Sequence, residues 1–144
     1  MKALDTSVLL ALLEGDRSAR DLIRKLRGVE IATTEGNLLE LAVLASQGPP
    51  RARAHRREAI ERLRRKLTVL PLDQRAVSEA ERHLSKGEGS TAPVVAGMLG
   101  ALEAAGCDEL VTSDPEECAG HWRFKVTRFN RHNPKKAQLR YTSN

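Results

Sequence analysis

The fold turns on "MKALDTSVLLALLEGD", residues 1–16. Lys2–Leu4 is short and apolar enough for a strand, and Asp5 follows it at once. Ser7–Glu14 then reads as a helix that stops at Gly15. A carboxylate at such a junction has two uses. It can cap the helix by accepting from backbone N–H groups of the first turn, or it can be a ligand for a metal ion.

The same strand-then-helix pattern continues along the chain. Asp16 caps a helix over Arg17–Arg27, with Ala19, Leu22, Ile23 and Leu26 on one face, and Gly28 ends it. Val29–Ala32 is a strand candidate. Thr33 or Thr34 can cap a helix from Glu35 to Ser46, and Gly48-Pro49-Pro50 breaks the chain. Arg51–Lys66 is a very polar helix. Leu67–Leu70 is a strand bounded by Pro71, and Asp73 caps a helix to about Ser85. "KGEGSTAP" is a loop, and Val94–Ala105 is a helix of small residues ended by Gly106. Glu109–Val111 is a strand, "TSDPEEC" the turn after it, and Arg123–Phe129 alternates like an edge strand. The last dozen residues read as disordered. Strands alternating with helices predict βα units, a parallel sheet and an α/β class. In such sheets the working site lies beyond the carboxyl ends of the strands.

A chain of 144 residues suits one domain. Apolar content of 40% and charged content of 30% fit a globular protein rather than a disordered one. No segment approaches the roughly 18 apolar residues of a membrane span, and the N-terminus carries an acid inside its only apolar run, unlike a signal peptide. Cys107 and Cys118 are the only cysteines, so no disulfide framework is expected and a reducing cytoplasm is the default.

The net charge of +5 is unevenly spread. Residues 121–144 hold seven Lys/Arg and no acid, and Pro50–Lys66 holds eight basic residues against Glu58 and Glu61. Two basic patches on an otherwise slightly acidic body attract polyanions, nucleic acid first. All four Trp, Phe and Tyr residues (Trp122, Phe124, Phe129, Tyr141) lie in the last 23 positions. Trp122 and Phe124 are expected to pack the final strand on the core. Phe129 and Tyr141 can either stack on bases or be strand-end and tail residues. His55, His83, His121 and His132 have no zinc spacing with the cysteines and read as surface or tail residues.

Three acids draw attention. Asp5 and Asp114 each follow a strand. Glu40 is the one acid after the first turn of an otherwise apolar helix, where an ionised group is costly unless paired or bound to a cation. Acids converging at a sheet end repel one another, and a hard divalent cation such as magnesium or manganese compensates that repulsion.

"MKALDTSVLL", "ATTEGNLLELA" and "GCDELVTSDPEEC" together resemble the PIN domain, and most of all the VapC ribonucleases of toxin–antitoxin pairs. The resemblance covers roughly residues 2–128. It rests on Asp5-Thr6-Ser7, on Glu40-Leu41 after Thr33/Thr34, and on Val111-Thr112-Ser113-Asp114 with a further acid, Glu117, three residues on. It implies a three-layer, Rossmann-like fold over residues 1–129, with a short central parallel sheet flanked by helices, followed by a basic tail at 130–144. It implies a Mg2+- or Mn2+-dependent endoribonuclease, a homodimer and a small VapB-like antitoxin. Asp5, Glu40 and Asp114 would be the metal ligands and catalytic groups, with Glu117 a further candidate ligand. Thr6, Ser7 and Thr112 would supply supporting hydroxyls. Arg51, Arg53, Arg56 and Arg57 on the basic helix, with Arg128, Arg131, Lys135 and Lys136 toward the tail, could hold the RNA backbone.

One position departs from the family. The late helix usually opens with an Asp, and here Ala92 or Val95 takes its place. Glu103, eight residues beyond Val95, is about 12 Å further along the helix. A second reading therefore stands beside the nuclease: a catalytically degenerate PIN-like domain that binds RNA or a partner protein.

Overall fold

Short runs form the strands, with buried residues in the first four, and a side chain sets the start of most of the helices that follow them. A computed structural model describes residues 1–87, 92–118 and 120–132. In chain order the elements are β1 (Lys2–Leu4), α1 (Thr6–Leu13), α2 (Arg17–Lys25), β2 (Ile31–Thr34), α3 (Glu35–Ala45), α4 (Pro50–Lys66), β3 (Thr68–Leu70), α5 (Gln74–Ser85), α6 (Pro93–Ala105), β4 (Glu109–Thr112), a 3-10 turn (Pro115–Glu117) and β5 (Lys125–Arg128). Asp5, Asp16, Thr34 and Asp73 each accept a first-turn backbone N–H and so cap α1, α2, α3 and α5. Pro50 and Pro93 open α4 and α6, where a missing N–H costs nothing.

The sheet runs β3-β2-β1-β4-β5, every pair parallel. From β1 the chain first builds outward through β2 and β3. It then crosses back to lay β4 against the other side of β1 and β5 beyond it. The strand order therefore reverses between β1 and β4, and the crevice at their carboxyl ends is where α/β sheets place ligands.

Helices cover both faces of this sheet. One core joins Leu4 to Val8, Leu9, Leu38, Leu41, Ile60 and Phe129; the other joins Ala3 and Ala32 to Leu99, Leu102, Leu110 and Phe124. This is the expected three-layer α/β arrangement. On the second face α6 lies so close to α5 that a Cβ on Gly100 would sit 2.1 Å from the Ala76 carbonyl oxygen. Gly106, at φ +72°, ends α6 in the left-handed region that a Cβ disfavours.

β2 lies two residues later than the sequence suggests. Val29 is a turn residue whose N–H bonds to Leu26 O, and the ladder begins when Lys2 N–H reaches Glu30 O. Thr33 and Thr34 thus become buried strand residues, and the Thr33 hydroxyl donates to Leu4 O at 2.8 Å. Beyond β5, Phe129 is buried at 7% exposure, so of its two readings the strand-end one holds and base stacking falls away. Arg131 then pairs with Glu14 at 3.2 Å and His132 N–H donates to Asp16. The expected disordered segment, with Lys135, Lys136 and Tyr141, falls outside the described residues. Among the described residues no helix is long and apolar enough to cross a membrane.

Candidate active site

Asp5 is fixed by the turn it caps. One carboxylate oxygen accepts from Ser7 Oγ at 2.5 Å and from Val8 N–H at 3.3 Å, and the other accepts from Thr112 Oγ1. Each hydroxyl is held in turn: Ser7 Oγ accepts from Ser113 N–H, and Thr112 Oγ1 accepts from Asp114 N–H, both at 3.0 Å. The start of α1 and the end of β4 are thereby stitched together around one carboxylate. Burial pushes the Asp5 carboxyl above its ordinary 3.8, while the bonds from Ser7, Thr112 and Val8 pull it back down. Cap and candidate ligand are therefore the same residue.

Glu40 reaches this place from α3. Its Oε1 accepts from Thr6 Oγ1 at 2.8 Å. Thr6 is itself oriented by Asn37 Nδ2 at 3.1 Å, and Asn37 closes a capping box with Thr34. The expectation that Glu40 lies on a buried stretch is corrected: it is exposed, and so are its apolar neighbours Leu39 (66%) and Val43 (56%). What places Glu40 is the Thr6 bond, not the cost of burying a charge.

Asp5, Glu40, Asp114 and Glu117 line one cavity of about 270 Å3 at the β1/β4 switch point, with Thr6, Ser7, Asn37, Thr112 and Cys118. Among the described residues none donates a hydrogen bond to the carboxylates of Asp114 or Glu117. Four carboxylates line one opening, two of them without such a donor; oxygen donors are what a hard divalent cation takes, but among the described residues no three of these four have oxygens within 4.8 Å of one another. The rest of the lining is largely apolar: Val95, Met98, Leu99 and Leu102 of α6, with Leu110 of β4. Of the two positions where the family usually has an Asp, Val95 lines the cavity and Ala92 does not. Glu103 is not among the lining residues; its carboxylate, 1% exposed, turns toward Arg123 and Arg82 instead. Cys118, on the rim, has its thiol pushed up to about 11 by burial and by Asp5, Glu117 and Asp114 nearby.

The basic candidates divide. Arg51, Arg53 and Arg57 are exposed on α4. Arg56 is half-buried and donates to Gln47 O at 2.6 Å. Arg128 is engaged by Glu116 and Ser113 O. Arg131, at 14% side-chain exposure, is engaged by Glu14, so a phosphate would have to displace an internal partner at both positions.

Two features escaped the sequence. Asn37 was legible as the third helical position after a Thr cap, although the box usually carries Glu or Gln there. His83 is no surface residue: it is 3% exposed, stacked on Trp122 at a ring separation of 3.7 Å, and close to Glu79 and Glu103.

A five-stranded parallel sheet with carboxylates gathered at its switch point defines an α/β protein with a cation-suited acidic cleft. Residues 2–116 match the PIN domain, and the chain belongs to that family. No curated protein sequence matches it. Solved structures share the fold. A chain of VapBC2 from Rickettsia felis, bound to a DNA fragment from its promoter, superposes at a TM-score of 0.73 and 12% identity, over 90% of this chain and 98% of that one. A chain of VapBC-5 of the VapBC toxin–antitoxin family, from Mycobacterium tuberculosis, gives 0.63 and 22%, over 89% and 98%. VapC20 from Mycobacterium tuberculosis, a Sarcin-Ricin loop cleaving toxin, gives 0.58 and 20%, over 76% and 87%.

Proposed function

We propose that this protein is a divalent-metal-dependent endoribonuclease of the VapC type, the toxin of a toxin–antitoxin pair working in the cytoplasm. The observation that carries the reading is the convergence of Asp5, Glu40, Asp114 and Glu117 on one cavity at the β1/β4 switch point, in a chain of the PIN family. The acids would hold Mg2+ or Mn2+, and a cation there supplies an activated water and offsets charge on the phosphate. Asp5 is held by Ser7 and Thr112, and Glu40 by Thr6, which orients two of the acids; an arriving ion would draw the four closer together, since no three of them offer oxygens within 4.8 Å of one another. Arg51, Arg53 and Arg57 offer free guanidiniums to the RNA backbone, which gives affinity without sequence information. A VapB-like antitoxin and a second copy of the chain are the proposed protein partners. The exposed Leu39 and Val43 on α3 support a protein contact beside the cavity.

The test is RNA cleavage with Mn2+, wild type against Asp5→Asn. Equal cleavage by the two removes the reading. Replacing Arg51, Arg53 and Arg57 together by alanine is expected to weaken RNA binding and flatten its salt dependence.

Val95 favours a second reading, a degenerate domain that binds RNA or a partner without cutting, because the wall where an acid is usual carries none. Calorimetric titration with Mn2+ separates the two: no binding by the wild type selects the degenerate domain.

A further inference from the structure

We propose that Glu79, His83 and Glu103 form a second metal site, separate from the acidic cavity and suited to a borderline divalent cation such as zinc. Glu79 and His83 are four residues apart on α5 and share one face. α6 brings Glu103 opposite them, and one donor atom from each of the three lies within 4.8 Å of the other two. In a tetrahedral zinc site with bonds of about 2.0–2.2 Å the ligand atoms stand roughly 3.4 Å apart, so small side-chain shifts close the gap. The set is well shielded: His83 is 3% exposed and the Glu103 side chain 1%.

Two arginines occupy the carboxylates in the metal-free state. Arg82 lies 2.7 Å from Glu79 and 3.8 Å from Glu103, and Arg123 Nε lies 3.4 Å from Glu103. Two guanidiniums carry the charge of one divalent cation, so exchanging them for a metal leaves the net charge of the cluster unchanged. Their side chains are 38% and 79% exposed, so the released guanidiniums return to water, while the incoming cation takes over the charge compensation that the shielded Glu103 carboxylate requires. The Arg123 backbone N–H keeps its 3.0 Å bond to Glu103 throughout. An imidazole nitrogen beside two carboxylates selects zinc over magnesium, which prefers an all-oxygen shell. The site would clamp α5 to α6 and to the segment carrying Trp122, which leads into β5.

The chain has a single tryptophan, and it stacks on His83, so Trp122 fluorescence reports on this site; because Trp122 also packs in the core that borders the acidic cavity, the Asp5→Asn chain serves as the control. Zn2+ titrated into the full chain is expected to give a saturable one-to-one change in emission. Asp5→Asn, which disables the acidic cavity, should leave that change intact. His83→Phe keeps a ring against Trp122 but removes the ligand nitrogen, and should weaken the response about tenfold or more. Glu79→Gln, on the more exposed side of the cluster, should weaken it too. Arg82→Gln removes a competitor and should tighten it. Unchanged emission at zinc well above the protein concentration overturns the proposal. So does a response that His83→Phe and Glu79→Gln retain, or one that Asp5→Asn abolishes.

Discussion

Thr6 Oγ1 and Glu40 Oε1 lie 2.8 Å apart, joining the first turn of α1 to the middle of α3. This bond aims an exposed carboxylate into the cleft without burying it. Thr6→Val keeps the shape and removes the donor. Mn2+ affinity measured by calorimetry should fall about tenfold, the usual effect of losing a residue that orients a ligand, with no loss of secondary structure. Unaltered affinity would mean that Glu40 is not held for metal.

Val95→Asp puts a carboxylate on the α6 side of the cavity that Asp5 lines. Without metal the added charge faces four acids and should lower the melting temperature. With Mn2+ the order should reverse and binding should tighten about tenfold, since affinity follows the number of charged ligands. Melting curves with chelator and with Mn2+ decide it: an aspartate that destabilises in both conditions would show that the wall lies out of reach of the ion.

The Asp5 carboxyl, raised from 3.8 chiefly by burial, makes a pH prediction for the metal-free protein. The folded state keeps its proton at pH values where the unfolded chain has already lost it. Stability from this group is therefore highest below the unfolded value and falls as pH rises through the folded one. Asp5→Asn should melt a few degrees above the wild type at pH 7 in chelator, and the gap should close as the pH drops below about 4. A gap independent of pH would point to another cause.

Arg131 and Glu14 form an ion pair at 14% and 9% side-chain exposure. Arg131→Ala withdraws a cation from beside a shielded carboxylate and should cost about 3 kcal/mol in denaturant unfolding. Arg57→Ala, on the exposed face of α4, should cost less than about 0.5 kcal/mol. Equal costs would contradict the difference in burial.

The sequence carried the α/β order because β1 to β4 are short and each ends at or just before a capping side chain or a proline. Asp5, Asp16, Thr34 and Asp73 marked the helix starts locally, and local signals are what a single sequence holds. Tertiary facts were less legible. The apolar run of α3 suggested burial around Glu40, but Leu39 and Val43 face outward, because periodicity identifies a helix more readily than the face it covers. His83 reads as peripheral because neither cysteine stands at a zinc spacing from it; its neighbours are an acid one turn back and another on a helix 20 residues on. Phe129 and Arg131 sat in a basic stretch that suggested solvent, and both close onto the body of the fold.

Thr112 stands 107 positions after the Asp5 it steadies. That separation has a consequence during synthesis. Until β4 has been made and has left the ribosome, the Asp5 carboxylate has emerged but its supporting strand has not. A nascent or prematurely terminated product ending before β4 lacks Thr112 and Asp114, and with them half of the cleft. Whatever chemistry the cleft performs can begin only once β4 has joined β1, so the order of residues along the chain itself delays the assembly of the site.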